Sequence, residues 1–169
     1  MALLGGTIET PRELYLHKLG AALKMENTIL EMIPQLEEHA QDSQLKQALR
    51  MHFEETQGHV RNLEQAFSAL GADVDDSSCP AIEGIEKDGQ ANLKMVDDSL
   101  NDHVIISGVC ETEYHEIAAY EGLIMNAEAM GQQDVVALLQ ENLENEQETL
   151  QKAKQLGQQL AQRAAQMAA

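Results

Sequence analysis

Four stretches of this chain share one irregularity: an apolar stripe at helical spacing, broken near its middle by a carboxylate. Steps of three and four residues collect Leu19, Leu23, Glu26, Leu30 and Ile33 on one face. The next face holds Leu45, Leu49, His52, Glu55, His59, Leu63 and Phe67. The third is Ile106, Val109, Glu113, Glu116, Tyr120, Leu123 and Ala127, and the fourth is Leu139, Leu143, Glu146, Leu150 and Ala153. Burying a carboxylate without a partner costs several kcal/mol. The chain has only 11 Lys and Arg, and none lies on these stripes beside the acids. A bound cation would neutralise the acids together. Carboxylate oxygens with one or two imidazoles suit Fe(II) or Mn(II). Two ions bridged by carboxylates, three side chains to each, account for six ligands.

The heights of these residues agree. With Gln41 as a turn, Glu26 lies 15 residues before it and Glu55 lies 14 after. With Gly131 as a turn, Glu116 lies 15 before it and Glu146 lies 15 after. At about 1.5 Å of rise per residue, each pair stands level within its hairpin. His59 and Glu113, each 18 residues from its turn, match one layer further along. Taken singly, any of these glutamates belongs in solvent; the matched set is what argues for metal. His52 is the weakest candidate ligand and reads as a donor behind the ligands or as a packed residue. Tyr120 reads as a core residue or a hydrogen-bond donor to them. His115, off the stripe, is read as surface or as support for Glu116. His17, His39 and His103 are peripheral, and Met25, Met32, Met51, Met95, Met125 and Met130 are read as core filler.

The elements that must position these groups are helices. Thr10, Pro11 and Glu13 form a start signal with a capping box. Asp42 or Ser43 offers the next cap, and Gly71 a natural stop. Pro34 is expected to bend the end of the first helix. The pattern predicts helices over about 10–39, 43–70, 81–95, 101–130 and 133–165, in one domain spanning 1–169, with an Ala/Gln-rich tail that frays. Short turns after the first and third long helices imply antiparallel hairpins. About 30 residues join the hairpins, including a short fifth helix. The expected fold is therefore all-α, a ferritin-like four-helix bundle with one long crossover.

Composition narrows the function. A net charge of −18 disfavours nucleic acid and anionic membrane surfaces as partners. Cys79 and Cys110 are far apart and lack metal-ligand spacing. No segment approaches an uncharged span of about 20 residues. The start of the chain lacks the basic and apolar regions of a signal peptide, so a cytoplasmic location is expected.

The segments MENTILEMIP, HFEETQGHVRNLEQAFSALG, ETEYHEIAAYEGLI and LLQENLENEQETLQKA resemble the YciF-like bacterial stress proteins, a ferritin-like family. The resemblance runs from about Thr10 to Leu156. It implies a bundle of two hairpins, a homodimer, a di-iron-type centre with manganese as the other metal to consider, and a link to stress responses. Carried over position by position, the metal ligands are Glu26, Glu55, His59, Glu113, Glu116 and Glu146. Two departures stand out. The usual ferritin-like motif puts His three residues after Glu; here His59 follows Glu55 by four, and Thr149 stands three after Glu146. Members often have His directly after the first Glu of the third long helix, where this chain has Tyr114 and then His115. Two functions stay open: a di-iron protein that oxidises Fe(II) with oxygen or peroxide, and a non-catalytic structural or interaction protein in which metal only stabilises the bundle.

Overall fold

A computed structural model describes residues 7–75 and 77–167. Residues 1–6 of the segment read for a signal peptide, and the last two residues of the tail, lie outside the described residues. Four long helices and one short one follow in chain order: α1 Pro11–His39, α2 Ser43–Ala69, α3 Pro80–Met95, α4 Asn101–Ala129 and α5 Gln133–Met167. A short 3-10 turn, Asp98–Leu100, leads into α4. Among the described residues there is no strand.

Local chemistry sets the helix ends. Thr10 Oγ1 accepts from the Glu13 backbone N–H at 3.1 Å, while the Glu13 carboxylate accepts from Thr10 N–H at 3.0 Å. This is the capping box expected from the sequence. Asp42 caps α2, accepting from the N–H groups of Gln44 and Leu45 at 2.8 and 3.1 Å. Gly71 and Gly131 take φ of 63° and 71°, the left-handed conformation that ends α2 and α4.

α1 pairs with α2, and α4 with α5, as two hairpins. The hairpins pack through α2 against α5 and α1 against α4, while α3 in the crossover covers α4. The architecture is the four-helix bundle with a long crossover that the pattern predicts. The crossover loop runs so close to α1 that a Cβ at Gly20 would lie 2.6 Å from the Asp75 carbonyl oxygen. Both oxygens of Asp102, at the start of α4, accept backbone N–H groups of the α1–α2 turn, from Gln41 at 2.7 Å and Asp42 at 3.0 Å. Arg163 of α5 reaches the Asp42 carboxylate at 2.6 Å. Both contacts tie the second hairpin to the turn of the first.

The core and the tail depart from expectation at several positions. Ile29 is buried and Leu30 only partly so, a shift of one position on α1. Met25 is core, Met32 and Met130 are half-buried, and Met51, Met95 and Met125 are exposed, so the filler role fails for those last three. The tail stays helical through Met167. Leu156 and Leu160 are buried, Arg163 is paired with Asp42, and Ala and Gln are adequate helix formers. No helix among the described residues is long and apolar enough to cross a membrane.

Candidate metal centre

The middle of the bundle is polar. Glu26 of α1, His59 of α2, Glu113 and Glu116 of α4 and Glu146 of α5 are all fully buried, and His52 of α2 is nearly so. Two overlapping groups of ligand-type atoms form there. One joins His52, Glu113, Glu116 and Glu146; the other joins Glu26, His59 and Glu146. Within each group the atoms lie within 4.8 Å of one another. Glu146 belongs to both, so one carboxylate of α5 stands between the two.

Five of the six residues expected as ligands therefore converge. Glu55 does not join them. It is half-buried and accepts a hydrogen bond from the Thr149 hydroxyl at 3.3 Å. The inward register of α2 runs through His52, Thr56, His59 and Leu63, all buried. Thr56 fills the inward slot between the two histidines, its hydroxyl donating to the His52 carbonyl at 2.7 Å. Glu55 lies about 100° round the helix from that slot. His52, read from sequence as the weakest candidate, takes the central position, with Nε2 3.3 Å from Glu113 Oε1.

These groups do not satisfy one another. Both oxygens of Glu113, Glu116 and Glu146, one oxygen of Glu26, and the Nδ1 atoms of His52 and His59 are buried without a hydrogen-bond partner. His59 Nδ1 is 2.8 Å from Glu146 Oε1 and 3.6 Å from Glu26 Oε2. At 2.8 Å the first pair is close enough to bond but misaligned, so we read it as an electrostatic contact between two atoms facing a common point. Native proteins leave few buried polar atoms unpaired, so such a concentration calls for a missing partner. A divalent cation, taking carboxylate oxygens and an imidazole, fits the donor set of either group.

The electrostatics agree. Burial foremost, then the neighbouring carboxylates, pushes Glu113 up to about 11 and Glu116 well above the carboxylate range. Burial also raises Glu26, with its contacts to His59 and Tyr120 opposing the rise. Burial alone would lower His59; Glu146 and Glu26 outweigh it and hold the imidazole at about 10. Glu146 is lowered, because the facing imidazoles more than offset its burial. Metal-free, the site thus holds protons where cations would otherwise sit.

A further layer orients the acids. Tyr120 donates its hydroxyl proton to Glu26 Oε1. Asn142 donates to that Tyr120 oxygen at 2.9 Å and to the His59 carbonyl at 3.2 Å, and accepts from Asn62 at 2.8 Å. A backbone carbonyl only accepts, which fixes which end of the Asn142 amide faces it. With Oε1 occupied by Tyr120, Glu26 keeps Oε2 for the centre. Asn145 lies 3.3 Å from His59 Nε2. The sequence reading missed Asn62, Asn142 and Asn145; the available signal was Asn142 one turn before Glu146 on the same face. His115 is half-buried outside the centre, 3.8 Å from Cys79 Sγ.

Comparison with known proteins agrees with this architecture. The family described as a domain of unknown function, DUF892, matches residues 10–166. The solved structure of YcfI from Rhodopseudomonas palustris, to which a structural role is ascribed, is 33% identical. It superposes with a TM-score of 0.86, over 90% of this chain and 98% of that one. The E. coli stress protein YciF shares the fold at 24% identity and a TM-score of 0.87, over 92% and 99%. A Xanthomonas campestris protein does so at 19% and 0.74, over 94% and 99%. No curated protein matches the chain.

Proposed function

The chain belongs to the DUF892 family, and we propose that it is a di-metal carboxylate protein, with iron the first candidate and manganese the second, that oxidises Fe(II) with a small oxidant during stress. One observation carries this reading: nine buried ligand-type atoms from four helices face one another without partners. His52, Glu113 and Glu116 would hold one ion, Glu26 and His59 the other, and Glu146 would serve both. Two bound ferrous ions supply two electrons and a Lewis-acidic surface for an oxidant. The chain's own groups fix where the donors point. Tyr120 holds one oxygen of Glu26, Asn142 holds Tyr120 and the His59 backbone, and the apolar layers above and below exclude water.

Loading purified protein with Fe(II) under anaerobic conditions and then adding oxidant tests the reading. Rapid oxidation at two irons per chain, lost in Glu116→Ala, is the expected result. A non-catalytic reading has one observation of its own: the structural role ascribed to YcfI, 33% identical over 90% of this chain. Tight metal binding with no faster oxidation than free iron would favour it, since metal offsets buried charge whether or not chemistry follows. The homodimer carried over from the family resemblance is tested by sedimentation.

A further inference from the structure

Four mid-helix glycines, Gly84, Gly89, Gly108 and Gly122, have open space where a Cβ would stand, and two of them, Gly89 and Gly108, line the same seam. Gly89 lies inside α3 and Gly108 inside α4, where glycine is a poor helix former. Neither has a positive φ, and a Cβ built on either meets nothing within 4 Å. Close packing therefore does not explain them, in contrast to Gly20. What both do is border a cavity.

That inner cavity, about 60 Å³, lies between α1, α2, α3 and α4, and its lining includes His52 and Glu113 of the candidate centre. Ile29, Ile33, Leu49, Leu93 and Ile105 supply much of the remaining wall. Thr112 also lines it, but its hydroxyl is spent on the Gly108 carbonyl at 2.9 Å. Outside it, a hollow of about 350 Å³ on the α3–α4 seam shares four wall residues with it: Ile85, Gly89, Val104 and Gly108. The two spaces share this stretch of wall, and two of its four positions carry no side chain.

An apolar space of this size gives water too few partners and suits one uncharged molecule of a few atoms. Ions are excluded from it, and hydrogen peroxide would give up its hydrogen bonds to occupy it. We propose that this cavity receives dioxygen through the α3–α4 seam, kept thin by Gly89 and Gly108, and delivers it to the His52 and Glu113 side of the centre. The delivery role rests on the metal reading above; the binding of a small apolar molecule does not.

Xenon separates the two. In metal-free protein under xenon pressure, crystallography should show one xenon atom in the inner cavity. The Gly108→Leu and Gly89→Leu variants, which place better helix formers in open space, should lose it. In iron-loaded protein both variants should slow oxidation by dioxygen about tenfold or more, as a blocked path does. Bound iron per chain and the rate with hydrogen peroxide should stay unchanged. Xenon pressure on the unmodified protein should slow the dioxygen reaction too, so the test does not depend on the variants folding. Three results would each overturn the proposal: no xenon in the inner cavity, xenon only in a separate apolar cavity of about 80 Å³ that α2, α4 and α5 enclose around Leu49, Val109 and Leu156, or wild-type dioxygen rates in both variants. Iron-loaded protein that takes up xenon but never reacts with dioxygen would refute the functional reading, and the delivery role with it.

Discussion

Replacing Glu116 by Met should make the metal-free protein more stable while destroying its metal response. Glu116 is fully buried, and neither of its oxygens has a partner. Burial foremost, then the surrounding acids, pushes its carboxyl well above the carboxylate range. Each unsatisfied buried polar atom costs about 1–3 kcal/mol. Exchanging such a group for an apolar side chain of similar volume typically returns about 1–4 kcal/mol. For a chain of this size each kcal/mol moves the midpoint by about 2–4 °C, so Glu116→Met should melt about 2–16 °C higher in chelator. Added Mn(II) or Co(II), as redox-silent ions, should reverse the order. At a hundredfold excess over Kd the wild type gains about 2.7 kcal/mol by mass action, and the variant gains little. Calorimetry with and without chelator reads both effects. A metal-free variant less stable than wild type would refute the reasoning, because Glu116 would then be satisfied without an ion.

Tyr120→Phe should cost about 1–3 kcal/mol in urea denaturation by stranding Glu26 Oε1. It should also weaken one metal equivalent more than the other in a calorimetric titration, since Glu26 belongs to only one of the two groups. Gly20→Ala should cost about 1–3 kcal/mol, because its Cβ would press on crossover backbone at 2.6 Å; denaturant midpoints would show it. Asp42→Ala should lose about 1 kcal/mol of capping at neutral pH. Burial nudges the Asp42 carboxyl up, but Arg163 and the Leu45 and Gln44 N–H groups hold it below its ordinary value. A depressed carboxyl stabilises fully above its unfolded pKa of about 3.9 and loses that contribution as pH falls through its folded value. The gap between wild type and variant should therefore be constant above about pH 5 and close below pH 4, as read from urea curves.

The bundle was legible because burial repeats with the helix. Caps at Thr10 and Asp42 and stops at Gly71 and Gly131 bracket stripes too apolar to face water. The acidic interruptions at Glu26, Glu113, Glu116 and Glu146 were legible for the same reason. The α2 ligands were harder. Glu55 and Thr56 are adjacent polar residues, and spacing fixes a helix face only to about one position. Charge favoured Glu55, while packing put Thr56 inside and gave His52 the centre. Asn62 and Asn142 were hidden because a lone Asn on a helix reads as solvated until its buried partners, 80 residues away in sequence, are known. The cavity could not be read at all, since mid-helix glycines acquire meaning only from what faces them.

Neither group closes within one hairpin. The second hairpin brings Glu113, Glu116 and Glu146 together but takes His52 from the first. The other group needs Glu26 and His59 of the first with Glu146 of the second. An ion bound between Glu26 and Glu146 therefore acts as a cross-link that closes a loop of about 120 residues, in the way a metal clip or a long-range disulfide does. Its largest thermodynamic effect falls on the unfolded chain, whose freedom it removes, and not on any one helix. Chelation should accordingly loosen the seam between hairpins before it melts either hairpin. In hydrogen exchange this would appear first in amides at the α1–α4 and α2–α5 faces.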